Sequence, residues 1–140
     1  MAEAENFRKR AAREKEEALK YAATHFARDM LPVCDNLRRA LDAVAQEDKE
    51  SLSDNIKALI QGIEMTEKGL LDAFKRHGIE KITPRIGDKF TADYHQAMFE
   101  VETQDYEPGA ITQLLQPGYR QHERLLRPAM VGVAKAKKND

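Results

Sequence analysis

The 140-residue sequence holds a single cysteine, Cys34. An intramolecular disulfide is thereby excluded, and a reducing compartment fits best. Aromatic residues make up only 6% of the chain while charged residues make up 34%. So large a share of surface-seeking side chains suits an elongated molecule better than a sphere. No apolar run approaches the roughly 18 residues of a membrane span, and no signal peptide opens the sequence. Neither charge sign dominates, since 23 basic residues stand against 24 acidic ones. Nothing global therefore draws the chain to nucleic acid or to an anionic membrane. The glycines are scattered, and neither G-x-G-x-x-G nor a P-loop occurs. His25, His77, His95 and His122 do not pair at metal-ligand spacing; His122-Glu123 opens like a zinc-protease helix, but Leu126 stands where the second histidine belongs. No acid–base pair stands out among the plentiful carboxylates. These absences argue against an enzyme, a metal, a cofactor or a small-molecule substrate, and for a protein that acts by binding.

What is present is organised around one stretch, Asn6 to Val44, which reads as a single long helix. Leu19, Ala22, Phe26, Met30, Val33, Leu37, Leu41 and Val44 form a stripe whose seven steps cover 25 residues, about 3.6 each, the helical period. A helix of roughly 40 residues is about 60 Å long, more than the remaining chain can cover. A partner helix, most simply from a second copy, is expected. Cys34 lies beside the stripe and reads as a small, partly buried hydrophobe rather than a reactive thiol. Residues 1–20 carry six basic and five acidic side chains. That is a solvated helix laced with i,i+4 pairs, not the dense basic run of a leucine-zipper DNA reader. Pro32 interrupts the stripe without shifting its phase and is expected to kink the helix. With so weak an apolar seam in residues 1–18, pairing there should melt early on heating.

A second helix is expected from Ser51, where Ser51-Leu52-Ser53-Asp54 matches a capping box. Its buried face would be Ile56, Leu59, Ile60, Ile63, Leu70, Leu71 and Phe74. Lys75, Arg76 and His77 put positive charge in the last turn and Gly78 supplies a left-handed stop. Two such helical hairpins in a dimer would make a four-helix bundle. Gly62 and Gly69 leave a narrow strip on this helix. It is either tolerated flexibility or a place where another backbone approaches.

Beyond Gly78 the period changes. Ile79 to Ile82, Phe99 to Val101, residues 111–115 and residues 130–134 are short strand candidates, and Pro108-Gly109 and Pro117-Gly118 are turn signals. The class is α+β: a dimerising helix over 1–46, a second bundle helix over 51–78, and a compact antiparallel β domain over 79–140. The polar tail from Lys135 to Asp140 is expected to fray.

Several stretches together are specific. Leu31-Pro32-Val33 followed by residues 35–41, Gly62-Ile63-Glu64-Met65-Thr66, and Gly87, Phe90 and His95-Gln96-Ala97 resemble the GrpE family. So do Pro108-Gly109, Gln116 with Gly118-Tyr119, and the run from Arg124 to Val131 ending in Val133-Ala134-Lys135. Asn6-Phe7-Arg8-Lys9-Arg10 matches the family's early basic patch. Two departures occur: Thr91-Ala92 replaces the usual Asp/Asn-Pro pair, and the family's acidic N-terminal extension is not in these 140 residues. The resemblance implies a cytoplasmic bacterial co-chaperone: a homodimer that acts as nucleotide exchange factor by binding the ATPase domain of a DnaK-type heat-shock chaperone. It also implies thermosensing, with the paired helices unfolding before the β domains. Matched by motif, the chaperone-binding residues are Arg124, Leu115, Val133, Arg39, Gly62 and Arg8. For Leu115 and Val133 a place in the β-domain core competes with contact; for Arg39 and Arg8 a solvated helix face does. A structural coiled-coil adaptor with a peptide-binding β tip would share the same fold class.

Overall fold

The structure, a computed structural model, describes residues 2–137. It divides into two compact units, Met1–Leu52 and Ser53–Asp140.

The first unit is helical. Helix α1 spans Ala2–Lys20 and α2 spans Thr24–Ala45, so the single helix expected from Asn6 to Val44 is broken at residues 21–23. Tyr21 N–H still donates to the Glu17 carbonyl (3.1 Å), but Thr24 N–H closes a tighter three-residue step onto Tyr21 (3.1 Å), and the four-residue ladder resumes with Ala27 to Ala23 (2.8 Å). Ala23 takes φ −97°, ψ 12°, between the helical and turn conformations. Both Ala22 and Ala23 are exposed. Helices in proteins are held mainly by packing, and two exposed methyl groups supply almost none. Pro32 is not where the break falls; α2 runs through it.

The buried line of α2 also differs from the expected stripe. Thr24, Ala27, Leu31, Cys34 and Leu41 are buried, whereas Leu19, Phe26 and Val33 are 70, 68 and 42% exposed. From 26 to 33 the buried line lies one residue, about 100°, around the helix from the expected one, and the two meet at Leu41. Two leucines and three small side chains face in, while Phe26 and Val33 face solvent. Cys34 is buried and reduced, as its position beside the stripe suggests.

A 3₁₀ turn over Lys49–Ser51 precedes helix α3, Asp54–Arg76, which belongs to the second unit. The cap is Ser53, whose hydroxyl accepts from Ile56 N–H at 3.3 Å. Ser51, expected to start the helix, instead donates its hydroxyl to the Asp48 carbonyl at 2.7 Å. Of the expected face only Phe74 is buried; Ile60, Ile63, Leu70 and Leu71 are half-buried, and Ile56 and Leu59 are exposed. The helix stops as its sequence dictates: Gly78 takes φ +76° and its N–H closes on Lys75 at 3.0 Å.

Among the described residues six strands follow: β1 Ile79–Ile82, β2 His95–Thr103, β3 Ile111–Gln116, β4 Gly118–Gln121, β5 Arg124–Arg127 and β6 Ala129–Ala136. They form two three-stranded sheets, in the orders β1-β4-β5 and β2-β6-β3. The unit is not wholly antiparallel, because β2 runs parallel to β6, with His95 opposite Ala129. A parallel neighbour needs a long crossover, and the chain from β2 to β6, which includes β3, β4 and β5, provides it. Pro108-Gly109 is a turn as expected, with Gly109 at φ +87°. Pro117-Gly118 is not: Gly118 begins β4, and a Cβ there would lie 2.5 Å from the backbone nitrogen of Ala129. Its glycine answers a close approach between the sheets, not a positive φ.

Ile111, Ala129, Val131 and Val133 form the core, with Ile82, Phe90 and Leu114 packed against it. Phe74 of α3 meets Tyr119 of β4 edge to face, ring centroids 6.1 Å apart, which fixes the helix end on the first sheet. In the expected tail, Lys135 and Ala136 are strand; residues 138–140 lie outside the described residues.

Candidate functional site

Strands β4 and β5 form a hairpin with Gln121 opposite Arg124, Arg120 opposite Leu125 and Tyr119 opposite Arg127. The link is His122-Glu123, and His122 takes φ 52°, a conformation unusual for a residue other than glycine. At the inner end of β5, Arg127 lies over the Tyr119 ring (5.2 Å to the centroid). Its Nε and Nη2 donate to the Pro117 carbonyl at 3.1 and 2.9 Å. At the outer end Arg124 is exposed. One arginine secures the hairpin and the other is displayed by it.

On the same sheet, Arg120 Nη2 meets the Glu80 carboxylate at 2.9 Å. That hydrogen bond, then Glu80's charge, raise the guanidinium pKa above its ordinary range. Glu80, Lys81, Ile82, Tyr94, His95 and Arg120 line an open cleft of about 230 Å³. His95 Nδ1 accepts from Thr91 N–H at 3.0 Å, and burial pushes its pKa below the usual histidine value, with Asp88 opposing. Around it Thr91 O accepts from Tyr94 N–H (3.1 Å) and His95 N–H (2.9 Å). Thr91-Ala92 thus closes a tight turn without the family's proline.

The matched residues fall on both units. Arg8 is exposed on α1 and Arg39 on α2. Gly62 is exposed on α3, its carbonyl accepting from Thr66 Oγ1 at 2.8 Å; within this chain a Cβ at Gly62 or Gly69 would meet nothing within 4 Å. In the β domain, Leu115 is 44% exposed and Val133 only 8%. The two readings left open for this pair therefore separate: Leu115 points outward and Val133 is a core residue. Leu115 and Arg124 lie on different sheets, so the marked side chains define faces rather than a pocket. Among the described residues, no group of three or more His, Cys, Asp or Glu is placed to hold a metal, and no helix is long and apolar enough to cross a membrane.

Sequence reasoning missed the β4–β5 hairpin and its turn histidine. Gln121-His122-Glu123-Arg124 carries none of the glycine, asparagine or proline that marks a hairpin turn. It also missed how far β2 is exposed: Met98, Phe99 and Val101 all face solvent in part.

A period-3.6 helical unit and a small two-sheet unit that displays single arginines and apolar side chains outward define an α+β protein whose marked residues are all surface features or their support. The sequence model of the GrpE family matches residues 1–135, and the chain belongs to that family. It is 54% identical over 134 residues, 96% of its length, to Protein GrpE of Mesorhizobium japonicum. Protein GrpE of Parvibaculum lavamentivorans is 50% identical over 135 residues, and that of Brucella melitensis 52% over 134. The chain covers 63% of the length of the first two relatives and 58% of the third.

Proposed function

We propose that this protein is a co-chaperone, a nucleotide exchange factor that binds the ATPase domain of a DnaK-type chaperone and opens its cleft to release ADP. Membership of the GrpE family over residues 1–135 carries this reading. The bacterial origin of the relatives supports work in the bacterial cytoplasm. No catalytic group, cofactor, nucleic acid or membrane enters the mechanism.

The protein acts as a homodimer. Exposed Phe26 and Val33, together with half-buried Met30, Leu37 and Val44, give α2 an apolar face of helical period that a second copy would cover, and exposed Leu19 adds to it from the end of α1. Exposed Ile56 and Leu59 on α3 supply a second such face, and the two hairpins together form a four-helix bundle.

Exchange then follows from linkage. A partner that prefers the open cleft weakens nucleotide binding by the factor by which nucleotide weakens the partner's own binding. Each tenfold acceleration of release needs about 1.4 kcal/mol of differential stabilisation of the opened transition state, which a large, partly polar surface supplies without any catalytic group. Arg124 and Leu115 are the β-domain contacts, Arg39, Arg8 and Gly62 the helical ones. Val133 acts by holding β6 in the core. Arg124 is the strongest single contact because a guanidinium pairs with a carboxylate through two directed hydrogen bonds.

Stopped-flow release of labelled ADP from a cognate chaperone tests the proposal. Release accelerates with the wild-type chain and is slowed about tenfold or more by Arg124→Ala, with circular dichroism unchanged. No acceleration by a correctly folded wild-type dimer overturns the exchange-factor reading and leaves the structural adaptor.

A further inference from the structure

Besides the Phe74–Tyr119 ring contact, the turn of the β4–β5 hairpin touches the residues that end α3. His122 N–H donates to the Gly78 carbonyl at 2.8 Å, and the neighbouring Gln121, itself buried, donates its side-chain amide to the His77 carbonyl at 3.4 Å. The His122 imidazole lies across Gly78: a Cβ on Gly78 would sit 2.5 Å from its Nε2 and 2.6 Å from its Nδ1. Gly78 is thus glycine for two reasons, its positive φ and the ring that occupies the place of a side chain. The histidine also takes a left-handed conformation that is uncommon outside glycine, though histidine adopts it more readily than most residues, and it is held there by the surrounding contacts. Arg124 follows two residues later, paired in register with Gln121. Arg124 thus leaves the turn two residues from the point where the imidazole rests on the helix stop.

We infer that His122 is a positioning residue for chaperone recognition: seated on Gly78, it fixes the turn that presents Arg124 and ties that arginine to the end of α3. The inference rests on the reading of Arg124 as a chaperone contact. His122 itself need not touch the partner. Its contribution is to hold one rotatable cation in a binding-ready place, so that less order is lost on association.

A double-mutant cycle in the full chain tests this, with affinity for the chaperone's nucleotide-free ATPase domain measured by calorimetry well below the unfolding temperature. His122→Gly keeps the left-handed backbone accessible and removes the side chain that rests on Gly78. It should weaken binding about five- to tenfold, and Arg124→Ala should weaken it at least as much. The double variant should bind like Arg124→Ala alone, within about twofold, because a positioning residue has nothing left to position. Gly78→Ala, which drives a methyl into the ring, should also weaken binding, and adding His122→Gly should recover part of that loss, the strain of alanine at a positive φ remaining. A purely structural role would lower the unfolding temperature and leave affinity unchanged. Wild-type affinity of His122→Gly beside a weakened Arg124→Ala overturns this inference alone. Full additivity of the two losses overturns it too, since the ring would then act independently of the arginine. Wild-type affinity of Arg124→Ala overturns the contact reading itself, and this inference with it.

Discussion

Helix α1 buries no side chain at all, and its phenylalanine, Phe7, is exposed, as is Leu19. In the β domain, Ile111, Ala129 and Val131 are fully shielded by neighbours distant in sequence. The two units use similar residues under opposite rules. A helix closes its backbone hydrogen bonds locally whether or not its apolar face is covered, so its stability is borrowed from whatever covers that face. A sheet cannot form without bringing distant strands together, and the same step that pairs β3 with β6 assembles their core. On the proposed dimer reading, α1 therefore owes its cover to association, whereas the β domain carries a core of its own. On heating, the helical unit should unfold first, at a temperature that rises with protein concentration, while the β-domain transition does not.

The largest effect on that contrast should come from Ile111→Ala. Removing a fully buried side chain costs about 2–5 kcal/mol, which lowers the β-domain transition by roughly 10 °C or more and merges it with the helical one or inverts the order. Separate transitions in calorimetry that stay unmoved would show that Ile111 is not central to the core. Gly118→Ala should act in the same direction with about 1–3 kcal/mol, because the new methyl meets the backbone of Ala129 rather than a side chain that could turn away. Urea unfolding followed by near-ultraviolet signals reads it.

The smallest effect concerns acid. The folded pKa of His95 lies below its ordinary value of 6.5 because burial disfavours the cation. Above pH 6.5 both folded and unfolded forms are neutral and the contribution is fully present. As the pH falls below 6.5 the unfolded chain binds a proton that the folded one resists, so stability declines until the folded pKa is passed. Protonation also removes the acceptor used by Thr91 N–H. The β-domain transition should fall as the pH drops below 6.5, and by more in the wild type than in His95→Gln. Equal shifts in both proteins would remove His95 from the account.

The features legible in the sequence were those encoded by local chemistry. Gly78 ends α3, Pro108-Gly109 turns, and the runs at 111–115 and 130–134 are strands. The features that escaped were set by packing. Nothing in Tyr21-Ala22-Ala23 announces a break, since alanine favours helix and only the lack of anything packed on it allows the turn. Ser51 and Ser53 are equivalent as letters, and the 3₁₀ turn closed by Asp48 decides between them. The parallel pairing of β2 with β6 is a matter of topology, invisible to periodicity. Among the candidate site residues, the positions came from family motifs, but their orientation did not. Leu115 and Val133 read alike in sequence, yet one faces solvent and the other Ile111, because the bulges in β3 shift which residues alternate inward.

Linkage can be read from affinities for one ATPase domain in two states. This chain should bind the nucleotide-free domain more tightly than the ADP-loaded one, by the same factor by which it weakens ADP binding. Equal affinity for both states would contradict it, since a partner indifferent to the cleft cannot open it.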